Sequence, residues 1–299
     1  SAKIELHSFA KKISNEDIYA TLKFAVITTI ILPLLPDQTF GSAPFDIFNP
    51  KKIWFLVVLI SAISFVGYIL MKLIGTRKGI GLTGILGGVI SSTALTLTFT
   101  QRSREYEHLS PAFSFSIMIA WTIMFIRIWI IAWILNPAMA QSLLMPFLCG
   151  ISFGFLYSLI LMWYSRKQET GTQEVALHNP FELWPAIKFT LLFIFLLFCA
   201  KSAHQYFGNS GVYLSSFFGG FMDVDAILLS MLKLVQTTQP NPLPMNIAVF
   251  AILIAVVSNT LLKGCVAITA GSSSLRKTLF PGFLGMLAVC MGAGYFFIC

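Results

Sequence analysis

Long apolar runs separated by short polar punctuation dominate this chain. Ile53–Ile74, Ser142–Tyr164 and Ile247–Ala270 carry no polar face at helical period, unlike the amphipathic stripes of soluble helices. A bilayer core of roughly 30 Å needs about 20 apolar residues in helical geometry, and these runs are that long. The pattern predicts nine hydrophobic segments, at about 18–36, 53–75, 79–101, 111–135, 142–164, 184–206, 211–235, 245–270 and 279–298. Pro36, Asn49-Pro50, Asn136-Pro137, Asn179-Pro180 and Pro240–Pro244 mark their ends, as turn-forming residues do. The expected fold class is an all-α polytopic membrane protein.

Organisation follows from where the polar stretches fall. Residues 1–17 form a polar N-terminal segment that reads as a junction after an upstream domain, and 166–182 form the longest polar loop. They leave a first repeat at 18–165 and a second at 183–299. Thr21-Leu22-Lys23-Phe24 in segment one is echoed by Ala186-Ile187-Lys188-Phe189 in segment six. Gly87-Gly88 precedes Ser91-Ser92-Thr93-Ala94 in segment three, and Gly219-Gly220 precedes Asp223-Val224-Asp225-Ala226 in segment seven. Aligning the glycines sets Ser91 on Asp223 and Thr93 on Asp225. The segment that follows each carries one deep cation, Arg127 or Lys263. The second half has no equivalent of segment two.

These strings predict interrupted helices. Each mid-helix glycine costs about 1 kcal/mol in propensity, and Ser and Asp are favoured N-caps because their side-chain oxygens accept from free backbone N–H groups. Unwound backbone at bilayer depth is tolerated where it is buried in protein or lines a cavity, and paired discontinuous helices point to a midplane transport site. A competing reading makes the glycines packing surfaces of the small-xxx-small kind, but it leaves Asp223 and Asp225 unexplained. If segments three and seven each enter and leave on one side, most basic loops fall on one face, as the positive-inside rule favours. Seven crossings and two re-entrant hairpins would result, against broken helices that cross fully.

Composition narrows the chemistry. Hydrophobic residues make up 57% of the chain and charged residues 11%, against about a quarter charged in soluble proteins. The net charge of +8 sits in short loops (Lys51, Lys52; Arg77, Lys78; Arg102, Arg104; Arg166, Lys167; Arg276, Lys277) as topology determinants do, so no nucleic-acid partner is expected. The five cysteines lack metal or redox spacing and the four histidines are scattered, so no cofactor is expected and no metal is assigned.

Charges deep in the bilayer cost about 2.5–3.5 kcal/mol each on insertion scales and usually face a partner or water. Asp223 and Asp225 are therefore read as N-caps or as a cation or proton site. Arg127 and Lys263 are read as their counter-ions, as anion ligands, or as snorkelling side chains. Asn259 serves either a ligand, an unwound backbone or an interhelical contact. The candidate substrate or ion site comprises Gly87, Gly88, Ser91, Ser92, Thr93, Gly219, Gly220, Asp223, Asp225, Arg127, Asn259 and Lys263. Lys23 and Lys188 suit interfacial snorkelling, and Glu16, Asp17 and Glu182 suit helix starts. An intramembrane aspartyl protease needs two carboxylates from different helices; both aspartates lie on one segment, so no enzyme is expected.

A further set of strings carries a resemblance: Lys23-Phe24, Leu32-Pro33-Leu34-Leu35-Pro36-Asp37, Asn49-Pro50, Ile60-Ser61 to Phe65-Val66-Gly67-Tyr68, Gly87-Gly88 to Ser91-Ser92-Thr93-Ala94, Asn179-Pro180-Phe181-Glu182-Leu183 and Asp223-Val224-Asp225-Ala226. Over nearly its whole length the chain resembles the membrane domain that follows the MgtC/SapB-type domain in many bacterial and archaeal proteins. That resemblance implies a multi-pass protein of a prokaryotic inner membrane, with Ser1–Asn15 as the junction. It names no activity. The Ser-Ser-Thr-Ala string is also similar to the broken helix of cation/proton antiporters. The leading expectation is a transporter or ion-conducting protein for a small ion or solute, coupled to protons or Na⁺. The alternative is a membrane-embedded regulatory or scaffolding domain for an MgtC-like partner. Expected partners are the lipid bilayer, the small ion or solute, and an upstream MgtC-like domain or a second copy of the chain.

Overall fold

A computed structural model describes residues 15–38, 40, 49–55, 57–58, 61–62, 80–165, 183–236 and 242–298. The junction at 1–14, most of segment two and the polar loop at 166–182 lie outside the described residues.

The described chain is helical, without a β-strand among the described residues. Helix α1 (Asn15–Ala25) continues as a π-helical stretch, Val26–Ile31, and a last turn, Leu32–Leu34. Pro33 cannot donate a helical N–H and its ring crowds the carbonyl four residues back; the wider winding just before it relieves that conflict. Helices α2 (Ile80–Glu105), α3 (Ser110–Leu135), α4 (Pro137–Ser165), α5 (Leu183–Met222), α6 (Val224–Val235), α7 (Met245–Ala270) and α8 (Ser273–Ile298) follow. By length and composition five stretches, in α2, α3, α4, α7 and α8, could cross a membrane, although the one in α2 is interrupted at Ser91. Large apolar side chains such as Trp133, Leu156, Ile160, Trp163, Phe195 and Phe218 stand exposed on the outer surface. Water would penalise such a surface by roughly 25 cal/mol per Å², whereas lipid accepts it. These are the helices of a membrane protein.

Contacts between helices fix their directions. At one end of the bundle Ser110 Oγ meets Ser272 Oγ at 2.9 Å, and Ser272 N donates to Ser103 Oγ at 3.0 Å. The end of α2, the start of α3 and the α7–α8 junction therefore share that end. At the other, Gln236 Nε2 donates to the Leu135 carbonyl at 3.2 Å, bringing together the ends of α6 and α3. Helices α3 and α8 thus run one way and α4 and α7 the other.

Helix α2 does not run straight. Ser91 has extended backbone (φ −163°, ψ 102°). Before it, Gly84 lies against Ser116 and Gly88 against Ala120, so residues 80–90 run parallel to α3. After it, Trp121 Nε1 donates to Thr96 Oγ1 at 3.0 Å and Phe99 stacks on Phe113, so the chain returns antiparallel. The second such place is Asp223, extended at φ −161°, ψ 122°, between α5 and α6. Gly220 lies against Ala255, and Tyr213 packs on Phe250, so the end of α5 runs parallel to α7. The chain then comes back along α6, where Leu243 N donates to the Leu234 carbonyl. Helix α5 itself reverses at Gly208, whose φ of 58° and ψ of −143° suit a residue without a Cβ.

Candidate functional site

The two reversals are built by the same local physics. Ser91 Oγ accepts from Ala94 N at 3.2 Å, and Asp223 Oδ1 accepts from Ala226 N at 3.0 Å. Each side chain satisfies one of the four N–H groups that a helix start leaves free. The glycine pairs stand one turn earlier and remain helical. A Cβ at Gly87 would strike Leu95, and one at Gly219 would strike Ile227. A Cβ at Gly88 would meet the Ala120 backbone, and one at Gly220 Ser258 and the Ala255 backbone. The glycines therefore act by close packing: they let each returning half fold onto the entering half and seat it on α3 or α7. The expected unwound link at the glycines is instead a single extended residue, Ser91 or Asp223.

The tips meet around a cavity of about 160 Å³, lined by Ile90, Ser91, Ser92, Thr93, Met124, Arg127, Met222, Asp223, Val224, Asp225 and Asn259. Thr93 and Met222 are exposed at its mouth, whereas Asp225 is 4% exposed. Arg127 reaches across from α3 to α6: Nη2 pairs with Asp225 Oδ2 at 2.6 Å. Its Nη1 donates to the carbonyls of Val89 (3.1 Å) and Ile90 (3.4 Å), the carbonyls left free where the entering half of α2 ends. Asn259 serves the other tip, its Nδ2 donating to the Gly220 carbonyl at 2.8 Å. Cationic and amide donors at helix C-termini satisfy orphan carbonyls and complement the dipole. Lys263 is 2% exposed and lies behind Ser92, donating to Ser92 Oγ at 3.1 Å and lying 2.9 Å from Met124 Sδ. Asp225 Oδ1 and Arg127 Nε are buried without a hydrogen-bond partner.

Of the sequence candidates, Ser91, Ser92, Thr93, Arg127, Asp223, Asp225 and Asn259 face the cavity. The four glycines and Lys263 support it from behind. The glycine register also bears on the two deep cations. The glycine alignment has an offset of 132 residues, from Gly87 to Gly219, and that offset equates Arg127 with Asn259 and leaves Lys263 opposite Ile131. Arg127 donates to the Val89 and Ile90 carbonyls and Asn259 to that of Gly220, so the helix ends at the two tips are served by side chains of different type. Met124, Ile90, Met222 and Val224 also line the cavity; as apolar residues in apolar runs they carried no signal. Among the described residues no group of three or more His, Cys, Asp or Glu side chains could hold a metal ion.

No solved structure matches the chain. An "Uncharacterized protein" of Aquifex aeolicus (strain VF5) is 33% identical over 206 residues, covering 69% of this chain and 88% of that protein. The family model described as "Domain of unknown function (DUF4010)" matches residues 58–271, which include both helix tips, Arg127 and Lys263, and the chain belongs to that family.

Proposed function

We propose that this protein is a membrane transporter or ion-conducting protein that moves a small ion or solute through the cavity between the two tips. In this reading the chain holds an inverted repeat. Residues 80–90 and 92–105 form a re-entrant hairpin from one side of the membrane, and residues 209–222 with α6 form its counterpart from the other. The observation that carries the proposal is the convergence of both tips on one polar cavity spanned by the Arg127–Asp225 pair.

Several contacts support the duplication. The offset of 132 residues relates Gly87–Leu95 to Gly219–Ile227, and it relates the Ser91 cap to the Asp223 cap. It also relates Phe153 to Gly285, and those two residues touch each other, as equivalent positions do beside a two-fold axis. Helices α3 and α4 run opposite to α7 and α8, which is the polarity of an inverted repeat. Such repeats place substrate sites near the midplane and expose them alternately by moving one unit against the other. The Arg127–Asp225 bond ties the first unit to the second, so it must loosen as they move. The implied setting is the inner membrane of a prokaryote, with coupling to protons or Na⁺ through Asp223 and Asp225.

The test is ion flux by the purified protein in proteoliposomes across a panel of ions, with and without a pH gradient. Wild type carries flux, and Asp223→Asn lowers it at least tenfold or removes its pH dependence. Absence of flux from wild type over the whole panel would discard the transport reading in favour of a scaffolding role for an MgtC-like partner.

A further inference from the structure

We infer that the cavity holds one small hard monovalent cation of the Na⁺ class, with Asp225 as its principal ligand, and that Arg127 is an internal cation which this ion displaces. The inference takes the cavity's place in the membrane from the transport reading but concerns equilibrium binding.

The unpartnered acceptor of the cavity is a carboxylate oxygen. Asp225 is buried, and its Oδ1 has no partner. A buried acceptor left unsatisfied is costly, more so when charged, and a cation would relieve that cost. Asn259 spends its Nδ2 on the Gly220 carbonyl, which leaves its Oδ1 to accept. The Thr93 hydroxyl and the Asp223 carboxylate complete an oxygen set at the same cavity. The donors are committed: Arg127 through Nη1 and Nη2 to Val89, Ile90 and Asp225, and Lys263 to Ser92 and Met124. Arg127 and Lys263 are thus each held by protein acceptors, whereas the Asp225 carboxylate keeps one oxygen unpartnered.

Oxygen ligands favour hard cations; of the two thioethers at the cavity, Met124 is taken by Lys263 and Met222 stands exposed at the mouth. Charge selects the valence. Asp223, Asp225, Arg127 and Lys263 sum to zero when all are ionised, so a bound ion adds its full charge to a buried site. The self-energy of a desolvated charge rises as its square, and desolvation already costs several kcal/mol for a monovalent ion; a divalent ion is disfavoured. At roughly 30 Å³ per water in the liquid, a cavity of about 160 Å³ takes such an ion with a few waters. The guanidinium already occupies the ion's place on Asp225 Oδ2, and its bonds to the α2 carbonyls give it a second anchor when an ion enters.

The experiment is equilibrium binding of ²²Na⁺ to the purified full chain in detergent, with K⁺, Mg²⁺ and choline chloride as unlabelled competitors. Saturable binding that resists choline chloride is expected, with at least tenfold weaker affinity in Asp225→Asn and at least tenfold tighter affinity in Arg127→Gln. Should Arg127→Gln fail to fold, infrared difference spectra on adding Na⁺ supply the second measurement: a carboxylate band shifts in wild type and not in Asp225→Asn. Lack of saturable binding, unchanged binding in Asp225→Asn, or Mg²⁺ displacing ²²Na⁺ at lower concentration than Na⁺ itself overturns the site. Unchanged affinity in a folded Arg127→Gln overturns the displacement. Na⁺ binding without flux in proteoliposomes would remove the transport reading and leave this site standing; anion flux without Na⁺ binding would do the reverse.

Discussion

The Ser91 tip and the Asp223 tip share a backbone and differ in chemistry. Both reverse the chain with one extended residue, both cap the next helix three residues on, and both lean on a glycine pair. The first tip offers hydroxyls and has its carbonyls covered by a full positive charge on Arg127. The second offers carboxylates and has its carbonyl covered by the neutral amide of Asn259. Arg127 then finds its carboxylate at the opposite tip, 98 residues along the chain, and Lys263 of α7 reaches the hydroxyl of Ser92. The shared part is what local backbone geometry demands. The divergent part is complementary across the cavity, so neither tip is electrostatically complete by itself.

The largest effect that can break this comparison comes from Asp225→Ala. It takes the carboxylate from the part-buried guanidinium of Arg127, and removing one partner of a fully buried pair typically costs about 3–5 kcal/mol, which sets the upper bound; thermal melts in detergent should show the loss. Replacing both partners, Arg127→Leu with Asp225→Leu, should recover part of it, and a double-mutant cycle without measurable coupling would show that the tips are held by packing alone.

Next in size are two changes of about 1–3 kcal/mol. Gly220→Ala overpacks the contact with Ala255 and Ser258, and the same stability assay should register it. Asn259→Leu leaves the Gly220 carbonyl buried without a donor; comparing its melt with that of Asn259→Gln shows whether the amide, rather than side-chain bulk, matters.

Smallest in stability is Asp223→Ser, which copies the cap of the other tip. Ser and Asp are near-equal N-caps, so the melting temperature should stay within a degree or two of wild type while ion flux falls as in Asp223→Asn. Normal flux in this variant would mean that Asp223 serves only as a cap.

Much of this was readable in the linear order of residues because its causes are local. Apolar runs of spanning length, the caps at Ser91 and Asp223, and the glycine pairs each act within a few residues of themselves. The side chain that serves the second tip was less readable. A search for like charge selects Lys263, whereas the helix-end carbonyl there is served by Asn259, one turn earlier. Nothing in residue type announced Met124 as the companion of Lys263, since a methionine in an apolar run is unmarked until its neighbour is known.

The sequence by itself determined that the chain must be helical and lipid-embedded, since hydrophobicity over some twenty residues and the demand for internal backbone hydrogen bonds permit little else. It also marked two places, Ser91 and Asp223, where a helix could restart, since an N-cap answers to the free N–H groups just after it. Only the tertiary structure decided that these restarts are reversals, that they arrive from opposite ends of the bundle, and that Arg127 closes on Asp225. Those outcomes depend on which helices lie beside one another, and contacts between residues far apart in the chain leave no periodic trace in its order.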